Sequence, residues 1–123
     1  MQIGVFVGRM RTTVDTVRHY MELALLKPEL KGGRYFFGEK EIRDFQAIAQ
    51  LKQWGFTLKE VQGLFDYKQR TGCGTAGVLI YAAGMLQERI KSIDSAIAEL
   101  GRQRKEVVDN LAEVEQVLMQ LEG

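Results

Sequence analysis

The sequence predicts a mainly α-helical fold in which a winged helix-turn-helix head precedes one long coiled-coil helix. Two short helical segments near the start predict the helix-turn-helix, and a glycine turn between apolar residues predicts the β-hairpin of the wing. Apolar residues spaced alternately four and three apart predict the coiled coil. We divide the 123 residues into a head at 1–70, a glycine-rich junction at 71–77 and a coiled-coil dimerisation helix at 78–123.

Residues 3–23 carry the pattern of a helix-turn-helix. A short apolar segment at 3–9 is followed by Thr12-Thr13, and threonine is a common N-cap of a helix. From Val14 to Leu25 the apolar positions fall on one helical face. We therefore expect two short helices joined by a tight turn.

The next segment carries the pattern of a β-hairpin. Pro28 stops the preceding helical pattern, because proline lacks the amide hydrogen that a helix needs. Residues 31–34, Lys-Gly-Gly-Arg, have turn residues at their centre and apolar residues on both sides. A hairpin that directly follows a helix-turn-helix would be a wing.

Two further helices are expected after the hairpin. Phe37 and Ile42 have the spacing of a hydrophobic staple, so the third helix is expected to start after Gly38. Gly55 is expected to end it, and residues 57–60 have the spacing of a capping box that begins the fourth helix. The residues expected on the two buried faces are Ile42, Phe45, Ile48, Ala49, Leu58, Val61, Leu64 and Phe65.

The clearest periodicity lies beyond residue 78. Twelve of thirteen positions spaced alternately four and three apart are apolar, and the other is Arg104. A helix from Ala76 to Leu121 would be about 70 Å long and needs a partner to bury this seam, so a homodimer is expected. Arg104 either extends its charged end to solvent or disfavours other registers. The expected dimer contacts are Leu86, Ile90, Ile93, Ile97, Leu100, Val107, Leu111, Val114 and Leu118.

Charge is distributed unevenly along the chain. The net charge is +1, but residues 1–70 carry 12 basic and 8 acidic residues, a net of +4, and residues 71–123 carry 5 and 8, a net of −3. The basic part is expected to meet an anion. A single cysteine excludes an intrachain disulfide and suits a reducing compartment. Because no signal region follows Met1 and no apolar run reaches the ~20 residues of a membrane span, we expect a cytoplasmic protein.

Four motifs resemble those of the mercury-resistance-regulator (MerR) family. Ile3-Gly4 is similar to the opening of that family's first helix, and residues 14–20, Val-Asp-Thr-Val-Arg-His-Tyr, resemble its recognition helix. Residues 25–28, Leu-Leu-Lys-Pro, resemble the exit from that helix, and residues 51–61 closely resemble its LRxLGFSLEEI stretch. The resemblance implies an antiparallel coiled coil and a protein that works in the bacterial nucleoid.

The chain departs from the family pattern at several positions. Arg11 stands where the family has glycine in the turn before the recognition helix, so a positive φ there would cost about 1 kcal/mol. His19 replaces the first tyrosine of a pair, and Met21 replaces glutamate. In the wing, Arg34 and Tyr35 are exchanged, and a one-residue exchange on a strand sends each side chain to the opposite face. The sequence leaves open which of these two meets DNA.

The resemblance implies double-stranded DNA as the partner and places the contacts on the recognition helix and the wing. The first residues of a recognition helix enter the major groove, where hydroxyl groups reach base edges or phosphates. Arg18 has a planar guanidinium that suits phosphate or guanine. Two alternatives stay open, namely Tyr20 as a core aromatic residue and Arg18 as a solvated charge. The expected DNA contacts are Thr13, Thr16, Arg18, His19, Tyr20, Lys31, Arg34 and Tyr35.

The resemblance also implies a mechanism. Members of this family bind a pseudo-palindromic operator between promoter elements that stand too far apart for RNA polymerase. An effector makes the dimer distort the DNA so that the elements align, which makes RNA polymerase an indirect partner. In physical terms, the dimer has two states that differ in how far the heads splay. The effector stays open.

Cys73 in the junction is the candidate effector or redox residue, because a thiol near a helix N-terminus can have a lowered pKa. A small buried residue is the alternative. No metal site is expected, because soft-metal sites need several ligands and the chain has one cysteine and one histidine. Gln50 stands where aldehyde- and nitrosative-stress-sensing relatives carry a cysteine, so the cysteine chemistry of those relatives is not expected at this position. Residues 72–77 match GxGxxG formally, but no strand precedes them, so we expect a flexible junction and no cofactor.

Three other functions compete with this one. The head could serve a non-activating adaptor of the excisionase or chaperone-modulator kind, although an excisionase is typically shorter. Alternatively, the head could bind protein within a coiled-coil scaffold. A salt-dependent affinity for DNA would separate a DNA-binding protein from such a scaffold. An enzyme is not expected, since the sequence offers no Cys/His pair, no carboxylate cluster in a plausible pocket and no phosphate loop.

Overall fold

The computed structural model of the protein describes residues 1–72 and 74–123, so the candidate sensor Cys73 lies outside the described residues. Contacts divide the chain into two units, Met1–Ala82 and Ala83–Gly123. The elements confirm the predicted fold class, a winged helix-turn-helix followed by a long helix. They are α1 at Ile3–Met10, α2 at Val14–Glu22, β1 at Glu29–Lys31, β2 at Arg34–Phe36, α3 at Glu39–Gln53, α4 at Leu58–Thr71 and α5 at Ala76–Glu122.

The turn between α1 and α2 depends on a left-handed residue. Arg11 has φ 55° and ψ 50°, the positive φ that its place in the turn suggested, and this conformation costs an L-residue about 1–2 kcal/mol. The amides of Arg11 and the next residue donate to carbonyls of α1 at 3.4 and 3.0 Å, which satisfies the end of that helix. Thr13 then begins α2 as predicted, because its hydroxyl accepts from the Thr16 amide at 3.1 Å.

The exit from α2 is held by α4. Ala24 has φ 59° and is a second left-handed non-glycine residue, which the sequence did not predict. Gln62 donates to the Leu23 carbonyl at 3.3 Å, and Gln69 donates to the Ala24 carbonyl at 3.4 Å. These two bonds fix the chain where it leaves α2 and turns toward the wing.

The wing is an antiparallel hairpin in which residue 31 stands opposite residue 34. Gly32 and Gly33 form its turn with φ of 56° and 78°, and positive φ at both positions is the requirement of a type I′ hairpin turn. Every residue of both strands is exposed, so the hairpin projects from the core. At its base, Met1 and Phe37 exchange two backbone hydrogen bonds of 2.7 Å.

The core of the first unit is aromatic at its centre. Phe6 of α1 stacks on Phe37 with ring centroids 4.5 Å apart and meets Phe45 of α3 edge to face at 5.8 Å. Such pairs contribute about 0.5–1.5 kcal/mol each beyond the burial of their area. The packing thus joins the first helix, the base of the wing and the third helix. The largest fully buried side chains are Phe6, Val17, Leu26, Phe37, Ile48 and Val61.

The buried face of α3 differs from the predicted one. Its buried residues are Glu41, Ile42, Asp44, Phe45 and Ile48. The prediction that Ala49 is buried is wrong, because this residue lies at the margin of the buried arc and its short side chain stays exposed. Asp44 tolerates burial because Lys40 and Lys68 place their ammonium groups 3.6 and 3.8 Å from its carboxylate.

The start of α4 is the predicted capping box. The Thr57 amide donates to the Glu60 carboxylate at 3.0 Å, and the Glu60 amide donates to the Thr57 hydroxyl at 3.1 Å. The pair satisfies two amides that the first turn of a helix leaves without partners. Of the four residues predicted on the inner face, Val61 and Phe65 are buried, and Leu58 and Leu64 are half-buried.

The long helix α5 runs for 47 residues, and none of them is buried. Its apolar seam is exposed throughout, from 39% at Ile93 to 80% at Leu121. On the opposite face, hydrogen bonds from Arg102 hold the pKa of the Glu99 carboxyl below its usual range. A helix with one polar, ion-paired face and one bare apolar seam has the surface of an unpaired coiled-coil strand.

Candidate nucleic-acid interface

α2 presents one face to the core and the other to solvent. Val17 and Tyr20 are buried, whereas Arg18 and His19 are exposed. This division follows from the helical period, because residues three apart share a face and the residues between them point elsewhere. His19 Nδ1 lies 3.9 Å from Glu22 Oε2 on the exposed side. The outer face of α2 is therefore polar and accessible.

The first turn of α2 carries two coupled hydroxyl groups. Thr13 Oγ1 accepts from the Thr16 amide at 3.1 Å and donates to Thr16 Oγ1 at 3.0 Å. The hydroxyl hydrogen of Thr13 is therefore engaged within the helix, and Thr16 keeps its own hydrogen for an outside acceptor. Of the two predicted contacts, Thr16 is the better placed to donate to a base edge or a phosphate.

Tyr20 lies in the core. Only 7% of the residue is exposed, and its ring centroid stands 5.9 Å from that of Phe45. Burial raises the pKa of the Tyr20 phenol above its usual value, so the hydroxyl stays protonated at neutral pH. This placement fits the core alternative that the sequence left open. A contact between Tyr20 and DNA is restricted to the small part of the residue that remains exposed.

Arg18 lies beside the wing. A cavity of about 290 Å³ is lined by residues of α2, the hairpin and the chain start, and a second of about 540 Å³ is lined by α2, Tyr35 and residues 26–28. Arg18, Met21 and Tyr35 line both cavities, and Arg34 lines the first. Three of the predicted DNA-contact residues therefore surround one groove between α2 and the wing.

The two faces of the wing differ in chemistry. Lys31 and Arg34 stand opposite each other and share one face, whereas Leu30 and Tyr35 share the other. Two cations in directly opposed positions repel each other. Lys31 Nζ is 3.5 Å from Glu29 Oε2, but within residues 1–72 and 74–123 no carboxylate pairs with Arg34. A phosphate beside Arg34 would relieve the repulsion.

Four residues of the groove were not predicted as contacts, namely Gln2, Ile3, Met21 and the turn residue Gly33. Met21 follows Arg18 by three positions, so helical periodicity could have placed it on the same face. Gln2 and Ile3 come to the groove because Met1 pairs with Phe37, 36 positions away. No local pattern carries a contact over that sequence distance.

The nine predicted dimer residues all lie on the exposed seam of α5, with exposures between 39% and 67%. Near the end of the helix, a shallow cavity of about 390 Å³ is lined by Glu113, Val114, Val117, Leu118 and Leu121. Val117 lies beside the seam rather than on it, so the apolar surface widens in this region. The arrangement offers a second copy of the helix an apolar surface to pack on, interrupted only at Arg104 among the thirteen seam positions.

Neither a metal-binding cluster nor a membrane-spanning helix is found in the part of the chain that the structure describes. Histidine, cysteine, aspartate and glutamate residues form no group of three or more there that could hold a metal ion. Nor does that part contain a helix both long and apolar enough to cross a membrane.

Two family models match the chain. Residues 1–68 match the model described as MerR HTH family regulatory protein, which covers more than half of the chain. Residues 42–110 match the model described as MerR, DNA binding. Together the two matches span the winged head and most of the long helix.

A relative in Bacillus subtilis (strain 168), the multidrug-efflux transporter 2 regulator, is 30% identical over 99 residues. This match covers 79% of the chain and 33% of the relative, so the chain spans about a third of the length of that protein.

Two solved structures share the fold. The crystal structure of the transcription regulator PbrR691 from Ralstonia metallidurans CH34 in complex with lead(II) matches with a TM-score of 0.68 at 22% identity, over 89% of this chain and 83% of that one. The cryo-EM structure of the EcmrR–DNA complex in EcmrR-RPo matches with a TM-score of 0.52 at 23% identity, over 86% and 39% of the two chains. At these identities, both matches bear on the fold alone.

Proposed function

Because the chain belongs to the MerR family of transcriptional regulators, we propose that it binds promoter DNA as a homodimer and changes the shape of that DNA when an effector binds. The observation that carries the proposal is the groove between α2 and the wing, which Arg18, Arg34 and Tyr35 all line. In this arrangement α2 enters the major groove and the wing holds the flanking backbone. The basic charge of residues 1–70 favours the same anionic partner.

We assign the DNA contacts by their place on α2. Thr16 donates to a base edge or a phosphate, because its hydroxyl hydrogen is available. Arg18 binds phosphate, because it lies beyond the first turn that enters the groove, and His19 lies on the same exposed side. Thr13 and Tyr20 support these contacts by capping α2 and by packing it on the core.

We assign the wing contacts by the two faces of the hairpin. Lys31 and Arg34 bind the flanking phosphates, since an anion between them relieves their repulsion. Tyr35 lines the groove beside Arg18 and spaces the wing from α2. Arg34 is therefore the wing residue that we expect to carry more of the DNA affinity.

The homodimer rests on the seam of α5. A second α5 packed against it would bury the apolar side chains that a single chain leaves in water. In this proposal residues 1–70 form the head, 71–77 the junction and 78–123 the dimerisation helix. RNA polymerase is then an indirect partner, reached through the alignment of promoter elements, and the protein works in the cytoplasm beside its DNA.

Replacing Arg18 by alanine tests the interface. We expect the free energy of operator binding to fall by about 1–3 kcal/mol per half-site. If Arg18 contacts a phosphate, the slope of the logarithm of the affinity against the logarithm of the salt concentration, which we call the salt slope, should also fall by about one for each protomer of the dimer. The measurement is an anisotropy titration at several salt concentrations on an operator fragment identified by footprinting upstream of the protein's own gene.

Arg102→Ala is the matched control, because it removes the same charge from a guanidinium that pairs with Glu106 at 2.7 Å on α5 and belongs to neither α2 nor the wing. This variant should keep the affinity and the salt slope of the unaltered protein. A folded, dimeric Arg18→Ala variant with unaltered affinity would contradict the assignment of Arg18. An unaltered protein without salt-dependent affinity for DNA would favour the protein-binding scaffold.

A further inference from the structure

α4 and the first turns of α5 are joined by a reciprocal pair of tyrosine–glycine contacts. Both helices carry the spacing Gly-x-x-x-Tyr, from Gly63 to Tyr67 on α4 and from Gly77 to Tyr81 on α5. The two tyrosine rings stack, with centroids 5.0 Å apart and planes inclined by 28°. All four residues belong to the unit Met1–Ala82. We call these four residues the tyrosine clasp.

Each tyrosine hydroxyl of the clasp lies where the other helix has no side chain. A Cβ added at Gly63 would lie 2.8 Å from the Tyr81 hydroxyl oxygen, and one added at Gly77 would lie 2.8 Å from the Tyr67 hydroxyl oxygen. Carbon atoms do not approach oxygen so closely, so an added methyl group would displace the tyrosine. By contrast, a Cβ added at Gly84 of α5 would meet no atom within 4 Å.

Space, rather than backbone conformation, explains the two clasp glycines. Neither Gly63 nor Gly77 has a positive φ. Glycine disfavours a helix relative to alanine, so each position gives up helical stability. What each gains is room for the hydroxyl end of the tyrosine on the facing helix.

The start of α5 is only partly covered by the rest of its unit. No residue of α5 is buried, and Tyr81 itself is 37% exposed. A contact made by two partly exposed rings can open at a lower free energy than the buried core of the head. The clasp is therefore a point at which the start of α5 can be held or released while the head stays folded.

We propose that the tyrosine clasp positions the start of α5 on α4 and thereby couples the DNA-binding head to the dimerisation seam. The inference rests on the proposed function, since it concerns how a dimer presents its two heads to DNA. α5 is one continuous helix from Ala76 to Glu122, so the turns that carry Gly77 and Tyr81 belong to the same element as the seam. Tyr67 and Tyr81 are positioning residues that act through α5.

The test uses paired substitutions that fit or fail to fit each other. Gly77→Ala displaces Tyr67, and Tyr67→Phe removes the oxygen that the new methyl group would meet, leaving the nearest ring atoms at 3.5 and 3.6 Å. Gly77→Ala/Tyr67→Phe is thus the matched pair, and Gly77→Ala/Tyr81→Phe is the mismatched pair. Gly63→Ala/Tyr81→Phe repeats the test from the other side, and Gly84→Ala controls for added helix propensity.

Two readouts separate positioning from stability. One is hydrogen exchange of the backbone amides of residues 77–82 in the protein without DNA. The other is the ratio of affinities for two operators whose half-site spacing differs by one base pair. Loss of stability alone lowers both affinities together, whereas a change in how the heads are held alters their ratio.

In Gly77→Ala we expect faster exchange at residues 77–82 and an affinity ratio changed by about 2- to 30-fold, the range by which residues in a coupling network modulate binding. The matched pair should restore both readouts. The mismatched pair should restore neither. Gly84→Ala, as the control for helix propensity, should change neither readout. A ratio that stays constant in Gly77→Ala, or equal rescue by both pairs, would overturn the clasp. If the unaltered protein bound neither operator, the proposed function would fail, and the exchange data alone would decide whether the clasp holds α5.

Discussion

Arg11 shows how one backbone angle links sequence to stability in the helix-turn-helix. It holds φ 55° in a turn that a glycine would adopt without steric cost. Arg11→Gly should therefore raise the free energy of unfolding by about 0.5–1 kcal/mol, because the relief of strain exceeds the added entropy of the unfolded chain. Urea unfolding at one fixed protein concentration measures the change.

Arg9→Gly is the matched control for Arg11→Gly. Arg9 is an exposed residue within α1, where glycine costs about 1 kcal/mol relative to a good helix former. The same chemical change should therefore destabilise the protein at position 9 and stabilise it at position 11. Destabilisation at both positions would show that the Arg11 side chain makes a contribution that its backbone angle does not explain.

Single residues of the interface were only partly predictable from the sequence. The cap at Thr13 and the exposed Arg18 follow from local spacing, which a helix obeys directly. The burial of Tyr20 depends on Phe45, and the engaged hydroxyl of Thr13 depends on the rotamer of Thr16. Residue types alone do not encode these neighbours, so the sequence predicts a set of candidate contacts without ranking its members.

At the scale of elements, the wing should be separable from the core. Both strands are exposed, and the type I′ turn requires positive φ at Gly32 and Gly33. Gly33→Val should disrupt the hairpin, because a β-branched residue is strained at φ 78°. We expect weaker operator binding with little change in the midpoint of thermal unfolding.

Gly32→Asn controls for the wing prediction, because asparagine is favoured at the first central position of this turn. It should keep both the affinity and the unfolding midpoint. If Gly33→Val bound the operator as the unaltered protein does, the wing would have no part in the interface. A large fall in its unfolding midpoint would instead show that the hairpin supports the core.

The boundaries of the elements could be predicted well because caps and turns are local. The glycine turn, the capping box from Thr57 to Glu60 and the periodicity of α5 each lie within a few residues of the feature they specify. Ala24 and Ala49 could not be placed in the same way. The left-handed turn at Ala24 is held by hydrogen bonds from α4. The buried face of α3 includes Asp44, which pairs with Lys68 of α4. Both features therefore depend on packing between segments that are distant in the sequence.

For the whole molecule, dimerisation should depend on the seam of α5. Ile93 and Ile97 are exposed apolar residues of this seam. Replacing both by aspartate should dissociate the dimer, because each change would bury an unpaired charge at the helix–helix contact. Sedimentation at micromolar concentration measures the mass of the species in solution.

The control places the same charges on the opposite face of α5, as Ser95→Asp/Ala98→Asp. This variant should remain dimeric, since neither position belongs to the seam. An unaltered protein that sedimented as a monomer at this concentration would contradict the homodimer. Dissociation by both pairs would indicate an interface wider than the seam.

Hydroxyl-radical footprinting of the DNA upstream of the protein's own gene tests the central claim most directly. The account predicts two protected half-sites related by a two-fold axis, with their centres about one helical turn or a multiple of it apart. Protection should weaken as the salt concentration rises, and it should be lost at lower salt with Arg18→Ala than with Arg102→Ala. A folded dimer that protects no DNA at low salt, or whose protection is the same with Arg18→Ala as with Arg102→Ala, would contradict the account.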